Sequence, residues 1–229
     1  MSSPIARKSK NFLQNAMIKF HQKASHGNRR EILSKMIVEL IDEKVEPGKE
    51  VLKCVDLGCG DMTLAEEISK QSKRKIEWIC LDLYDLPEDL KDDPKWAKYR
   101  KFNGNDIPFD DKEFDLVIIL DVLHHCMDVA PNLLKESGRV SKNILLKDHF
   151  EYGAYSRQML RAMDFVGNWA YGVSIPDHYW TQNLLDETLG KADLQITEMN
   201  ASIKLYDKSA FLQWLLKPKW QFMTLISGK

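Results

Sequence analysis

The sequence predicts an α/β fold built on a mostly parallel sheet with helices on both faces. Two patterns carry this: short apolar runs alternate with helical segments from residue 51 to residue 149, and the runs are continuously apolar rather than alternating. A third observation places a ligand on the fold. The runs end in Asp, Gly or His at the carboxyl side, the edge where open α/β sheets bind their ligands.

The elements follow in order. Residues 1–45 read as helical, with Ile32, Leu33, Met36, Ile37, Leu40 and Ile41 at helical spacing and Pro47-Gly48 as the stop. Basic residues crowd this stretch, among them Arg29 and Arg30, and the expectation for them is a solvated face. Val51–Leu57 is the first strand, followed by a helix near Thr63–Gln71. Ile76–Leu81 ends at Asp82, and a short run covers Tyr99–Phe102. Phe114–Leu120 is the strongest strand and ends at Asp121; Asn143–Leu146 ends at Lys147-Asp148-His149. Helices are expected over Tyr155–Ala170, Trp180–Leu189 and near Ser209–Leu216. Late strands are expected over Leu194–Leu205 and Trp220–Ile226. Nothing marks a linker, so one domain over 1–229 is expected, with 1–46 as a helical cap and 151–192 as an inserted, lid-like segment.

Composition narrows the function classes. The chain has 229 residues, 44% hydrophobic and 29% charged, with a net charge of −1. No global field points to nucleic acid or an anionic membrane, and no run approaches the ~20 apolar residues of a membrane span. The basic amino terminus lacks an apolar stretch, so no secretory signal is expected. Cys54, Cys59, Cys80 and Cys126 form no CxxC pair. No metal site is expected from them, and their usage fits a reducing, cytoplasmic setting.

The turn Gly58-Cys59-Gly60 sits between a strand and a helix, where glycine lets the backbone bend and a ligand approach. Asp82, about twenty residues on, can take both hydroxyls of a ribose. Dinucleotide enzymes share this logic, so an NAD(P)-dependent oxidoreductase is the alternative. Their third glycine is missing here, since Thr63 stands in its place, and Asp61 would repel a pyrophosphate.

Taken together, VDLGCGDM (55–62), LDLYD (81–85), FNGNDIPFDDKEFDLVIILDVLHH (102–125) and NILLKDHF (143–150) resemble the class I S-adenosylmethionine-dependent methyltransferases, in the broad type 11 group. RAMDFVGNWAYGVSIPDHYW (161–180) is similar to a bacterial subgroup of them. The resemblance spans nearly the whole chain from Gly27 onward. It implies a Rossmann-like sheet of seven strands, parallel except for one near the carboxyl terminus, and S-adenosylmethionine as cofactor with S-adenosylhomocysteine as product. By the same resemblance Asp56, Gly58, Cys59 and Gly60 hold the methionine end, Asp82 the ribose, and Leu83, Asn103 and Gly104 the adenine. Asp121 lies where main-chain groups meet the cofactor's amine. Met62 stands where many members have glycine, so a side chain is expected to pack the cofactor tail, and Asn103 replaces the commoner Asp.

Methyl transfer to a hydroxyl or protonated amine also needs a base near neutral pKa, for which histidine is the usual choice. His124 and His125 follow the fourth strand. Adjacent helical residues point about 100° apart, so one of the two is expected to face the acceptor. Asp148 and His149 are a second candidate pair of orienting carboxylate and base. Asn168, Trp169, His178 and Tyr179, in the lid-like segment, are the candidate substrate contacts. The expected acceptor is a small molecule, methylated on oxygen if a histidine base operates, with no nucleic-acid partner. A non-catalytic protein that only binds the cofactor is the remaining alternative.

Overall fold

The computed structural model describes residues 28–168, 173–205 and 216–229. Its elements in chain order are α1 (Asn28–Lys44), β1 (Val51–Leu57), α2 (Thr63–Gln71), β2 (Lys75–Asp82), β3 (Tyr99–Lys101), β4 (Phe114–Leu120), α3 (Ala130–Val140), β5 (Ser141–His149), α4 (Ala154–Asn168), α5 (Gln182–Lys191), β6 (Leu194–Asn200) and β7 (Gln221–Gly228). The strands form one seven-stranded sheet among the described residues, ordered β3-β2-β1-β4-β5-β7-β6. Neighbours from β3 to β5 pair in parallel, and β7 is antiparallel to both β5 and β6. This is a mixed, mostly parallel Rossmann-like sheet.

All seven residues of β4 are buried, because the strand lies between β1 and β5 and is covered above and below. Its side chains alternate between faces. Leu116, Ile118 and Leu120 join the apolar cluster that contains Ile37 and Ile41 of α1 and Leu64 and Ile68 of α2. Val117 and Ile119 join the opposite cluster, with Leu133 and Leu134 of α3 and Leu185 and Leu189 of α5. The Gly58–Met62 turn is therefore held on a strand edge that is packed from both sides.

Several boundaries differ from those read in the sequence. β5 runs on through His149, because Lys147 and Asp148 find partners within the sheet edge. β6 stops at Asn200, whose carbonyl oxygen Oδ1 accepts from the Ser202 N–H at 3.2 Å and turns the chain away. α5 starts at Gln182 because Thr181 caps it through the Leu184 N–H, while Trp180 pairs with Phe150 in a bridge. The helix expected near Ser209–Leu216 and the first part of the expected amino-terminal helix lie outside the described residues.

Arg74, just before β2, fixes the carboxyl end of α1 at the amino edge of the sheet. Its guanidinium donates to the carbonyls of Val45 (2.8 Å), Glu46 (3.2 Å) and Ile41, and pairs with Asp42 at 3.2 Å. These carbonyls lie in the last turn of the helix and just past it, where main-chain partners run out. Arg74→Ala is expected to cost about 1–3 kcal/mol, read as a lower urea midpoint at unchanged m.

Candidate active site

β1 lies between β2 and β4, so the connections out of β1 and β4 leave in opposite directions and open a crevice at the carboxyl edge. The first wall is the turn after β1. The N–H groups of Gly58 and Cys59 both donate to the Leu81 carbonyl, at 2.8 and 3.1 Å, which folds the turn against β2. Gly58 (φ 78°) and Gly60 (φ 54°) take left-handed conformations. A Cβ at Gly58 would stand 2.4 Å from Val122 Cγ2. Met62 also has positive φ, but its side chain is wholly buried in the α1–α2 cluster. The packing side chain anticipated at this position thus belongs to the core beneath the turn.

Asp82 closes β2. Its carboxylate accepts from the Gly60 N–H (2.9 Å) and the Leu83 N–H (2.7 Å), so the turn and the strand end are tied together by one side chain. Asp56 is buried close by. Burial, then the Asp82 and Asp61 carboxylates, push its pKa up to about 7. The crevice therefore gathers negative charge with little solvent to screen it. Leu83 is 52% exposed and lies against Gly104, where a Cβ would come within 2.7 Å of Leu83 Cδ2. These two predicted adenine contacts are thus brought together. Asn103 is committed to its own loop: its Oδ1 accepts from the N–H groups of Asn105 (2.9 Å) and Asp106 (2.8 Å), and its amide donates to Asp106.

The second wall is a cluster of titratable groups after β4 and β5. Asp148 is fully buried and accepts four hydrogen bonds: from His124 Nδ1 (2.5 Å), the His124 N–H (3.2 Å), the His149 N–H (2.7 Å) and Trp180 Nε1 (3.2 Å). Asp148 thus takes His124 as its nearer ring, and the expected partner His149 also faces it, with Nδ1 3.5 Å from Oδ1. His124 Nε2 faces Asp164 Oδ2 at 3.5 Å, and Asp164 accepts from the Tyr179 hydroxyl at 2.5 Å. His125 meets the Ser174 carbonyl through Nδ1 at 3.0 Å. Both histidines sit in a short 3-10 turn (Leu123–His125) with ring centroids 4.1 Å apart. Both thus join the cluster, whereas the helical spacing assumed in the sequence separated them.

Electrostatics divides these rings. Burial acts to lower His124, but Asp148, Asp164 and Asp121 outweigh it, so its pKa is raised. Burial and the neighbouring His124 lower His125 to about 4. Burial and Lys147 lower His149. One cation thus stands beside two neutral imidazoles near neutral pH.

Asp121 carries φ 55°, and its N–H is held by the Lys147 carbonyl at 2.9 Å. Its carboxylate pairs with fully buried Lys147 and with Arg29 of α1 at 2.7 Å, and Arg30 stands 3.7 Å from Asp61. The solvated face anticipated for these two arginines is instead a contact across the crevice. Burial opposes the Asp121 charge, yet Lys147, His149 and Arg29 hold its carboxyl well below the usual range. Lys147 also donates to Gln221 of β7 at 2.5 Å.

Of the predicted substrate contacts, Tyr179 is buried at the cluster and His178 is exposed, 3.8 Å from Glu151. Trp169 and the Asn168 side chain lie outside the described residues. Sequence reasoning missed Asp164, Lys147 and Gln221. Asp164 had a signal: it follows buried Ser156 and Leu160 at intervals of four on α4, a carboxylate on an inward stripe.

Comparisons with known proteins agree with this layout. A family described as methyltransferase domain matches residues 55–143. Among solved structures, a chain of the Haloferax volcanii complex between the Trm112 methyltransferase activator and a methyltransferase is 14% identical, with TM-score 0.61 over 100% of this chain and 99% of that one. An S-adenosylmethionine-dependent methyltransferase from Aquifex aeolicus is 13% identical, with TM-score 0.56 over 94% and 98%. CalO1, a methyltransferase of calicheamicin biosynthesis with S-adenosylhomocysteine bound, is 13% identical, with TM-score 0.53 over 88% and 53%. No curated protein matches the sequence. No described helix is long and apolar enough to cross a membrane.

Proposed function

We propose, from the premise that this chain is a class I S-adenosylmethionine-dependent methyltransferase, that it methylates an oxygen of a small-molecule acceptor held against the histidine cluster. The observation that carries the acceptor reading is His124 fixed between two carboxylates with neutral His125 beside it. When bound, S-adenosylmethionine supplies an electrophilic methyl group on a positively charged sulfur.

The crevice suits this cofactor. Asp56, Asp61 and Asp82 would face the phosphates of a dinucleotide, whereas a sulfonium and an ammonium relieve the same crowding. Asp82 holds the ribose in this reading, Asp56 and the Gly58–Gly60 turn the methionine end, and Leu83 with Gly104 the adenine. Cation binding favours ionised Asp56. Affinity for S-adenosylmethionine should therefore rise about tenfold between about pH 6 and about pH 8. Calorimetry at several pH values checks this; a flat profile contradicts the assignment of Asp56.

At the acceptor, the Ser174 carbonyl can only accept, so His125 Nδ1 carries the proton and Nε2 keeps its lone pair. His125 is half-buried, and its pKa of about 4 makes it a weak base, so in this reading it takes the hydroxyl proton only as the methyl transfers and passes it at once to solvent. His124, held positive by Asp148 and Asp164, stabilises the negative charge that gathers on the oxygen. α1 acts as the cap and 151–192 as the lid, with Tyr179 and Trp180 sealing the cluster from above. All four cysteines are free, in keeping with a cytoplasmic enzyme. CalO1, a structural neighbour from the biosynthesis of a small molecule, supports the acceptor class.

The test is a panel of phenols, hydroxy acids, amines and thiols with methyl-labelled cofactor. Hydroxyl acceptors should be labelled, and His125→Gln should lower kcat about 100-fold or more while S-adenosylhomocysteine affinity holds. Labelling confined to amines or thiols, or a His125→Gln enzyme as fast as wild type, would refute the proposal.

A further inference from the structure

His124 Nε2 is buried and has no hydrogen-bond partner, yet it points at the Asp164 carboxylate 3.5 Å away. The proton on Nε2 occupies that gap without making a hydrogen bond, so the position is one that another positive centre can take. We propose that a divalent transition-metal ion binds there, held by His124, His125 and Asp164. This deepens the reading above: it rests on the same acceptor site, with the ion replacing the proton on His124 and, because it takes the His125 lone pair, the base as well, since a hydroxyl held on the ion loses its proton more easily.

Three observations support it. Ligand atoms of these three residues lie within 4.8 Å of one another. The His124–Asp164 separation matches the roughly 3.4 Å expected between two ligands about 2.1 Å from a tetrahedral ion. Finally, each ligand already has the outer partner that metal ligands carry: His124 Nδ1 on Asp148, His125 Nδ1 on the Ser174 carbonyl, and Asp164 under the Tyr179 hydroxyl. Such contacts fix both rings with Nε2 as the coordinating atom.

Two imidazoles and one carboxylate favour zinc, iron or manganese over magnesium and calcium, which prefer oxygen alone. A second group, His124 with Asp148 and His149, is wholly buried, and Asp148 there is occupied by four donors. The Asp164 side is the accessible one, since His125 is half-exposed. Three protein ligands leave positions open, which suits an acceptor that offers a hydroxyl beside a second oxygen. Binding displaces the His124 Nε2 proton to solvent, so about one proton is released per ion and the site gains one positive charge, set against the Asp164 carboxylate.

The experiment strips the purified full chain with a chelator and titrates it with Co²⁺, followed by visible d–d absorption. Zn²⁺ calorimetry in two buffers of different ionisation enthalpy counts protons. S-adenosylhomocysteine binding is measured on the same samples. The expected result is one ion per chain, about one proton released, and affinity reduced at least tenfold or so in Asp164→Asn and His125→Gln, which still bind S-adenosylhomocysteine. No ion bound by the wild-type chain, or binding that both variants retain, would overturn the inference. Co²⁺ binding without S-adenosylhomocysteine binding would uphold the metal site and count against the cofactor reading alone.

Discussion

Gly58→Ala should lower S-adenosylhomocysteine affinity on the order of 100-fold, or about 2–3 kcal/mol. Two effects combine. An alanine at φ 78° costs about 1–2 kcal/mol of backbone strain. Its Cβ would also stand 2.4 Å from Val122 Cγ2, and valine has few rotamers with which to retreat. The turn must then swing off the Leu81 carbonyl that holds it, carrying Gly60 away from Asp82. Gly48→Ala is the control, because Gly48 has φ 86° but nothing within 4 Å of the new Cβ. It should lose a similar strain energy in thermal unfolding and leave calorimetric affinity unchanged. Equal affinity in both variants would mean that the turn does not carry the cofactor.

Asp148→Asn is expected to cost about 3–5 kcal/mol of stability, since an asparagine turns an N–H toward donors that now share a carboxylate. For a chain of this size that is a fall of roughly 10 °C in Tm. The pH dependence has a definite sign. Burial opposes ionisation of Asp148, but His124 and His149 hold its carboxyl well below the usual range. Its contribution is therefore present above the unfolded value near 3.9 and lost as pH falls through the folded one. The raised His124 adds stability that is complete below about 6.5 and lost as pH rises through its folded value. The gap between wild type and Asp148→Asn should be widest between about pH 4 and about pH 6.5, and urea unfolding across that range checks it. A gap that widens steadily above neutrality would contradict the pairing.

Much of the fold was legible because it rests on local signals. Phe114–Leu120 is apolar throughout because the strand is buried on both faces, and the paired glycines at 58 and 60 mark a turn whose φ values demand them. The carboxyl edge was legible as a place, since Asp82, Asp121 and His149 close their strands there. What the sequence hid is which groups meet. Lys147-Asp148-His149 read as a strand end, because charge normally marks an exit from the core. They stay in the sheet because Asp121 and His124 from the turn after β4, Trp180 and Gln221 arrive from three other segments to pair with them. Asp164 was visible as a carboxylate on an inward helical stripe, but its partners, Tyr179 and His124, lie fifteen or more residues away. Arg29 looked like one solvated cation among many until α1 was laid across Asp121.

A crystal structure of the complex with S-adenosylhomocysteine tests the central claim most directly. The ribose hydroxyls should sit on Asp82 and the amino-acid tail along 58–60, with the sulfur open toward His125 and Asp164. A nucleoside seated elsewhere, or a sulfur turned away behind the Arg29–Asp121 pair, would contradict it.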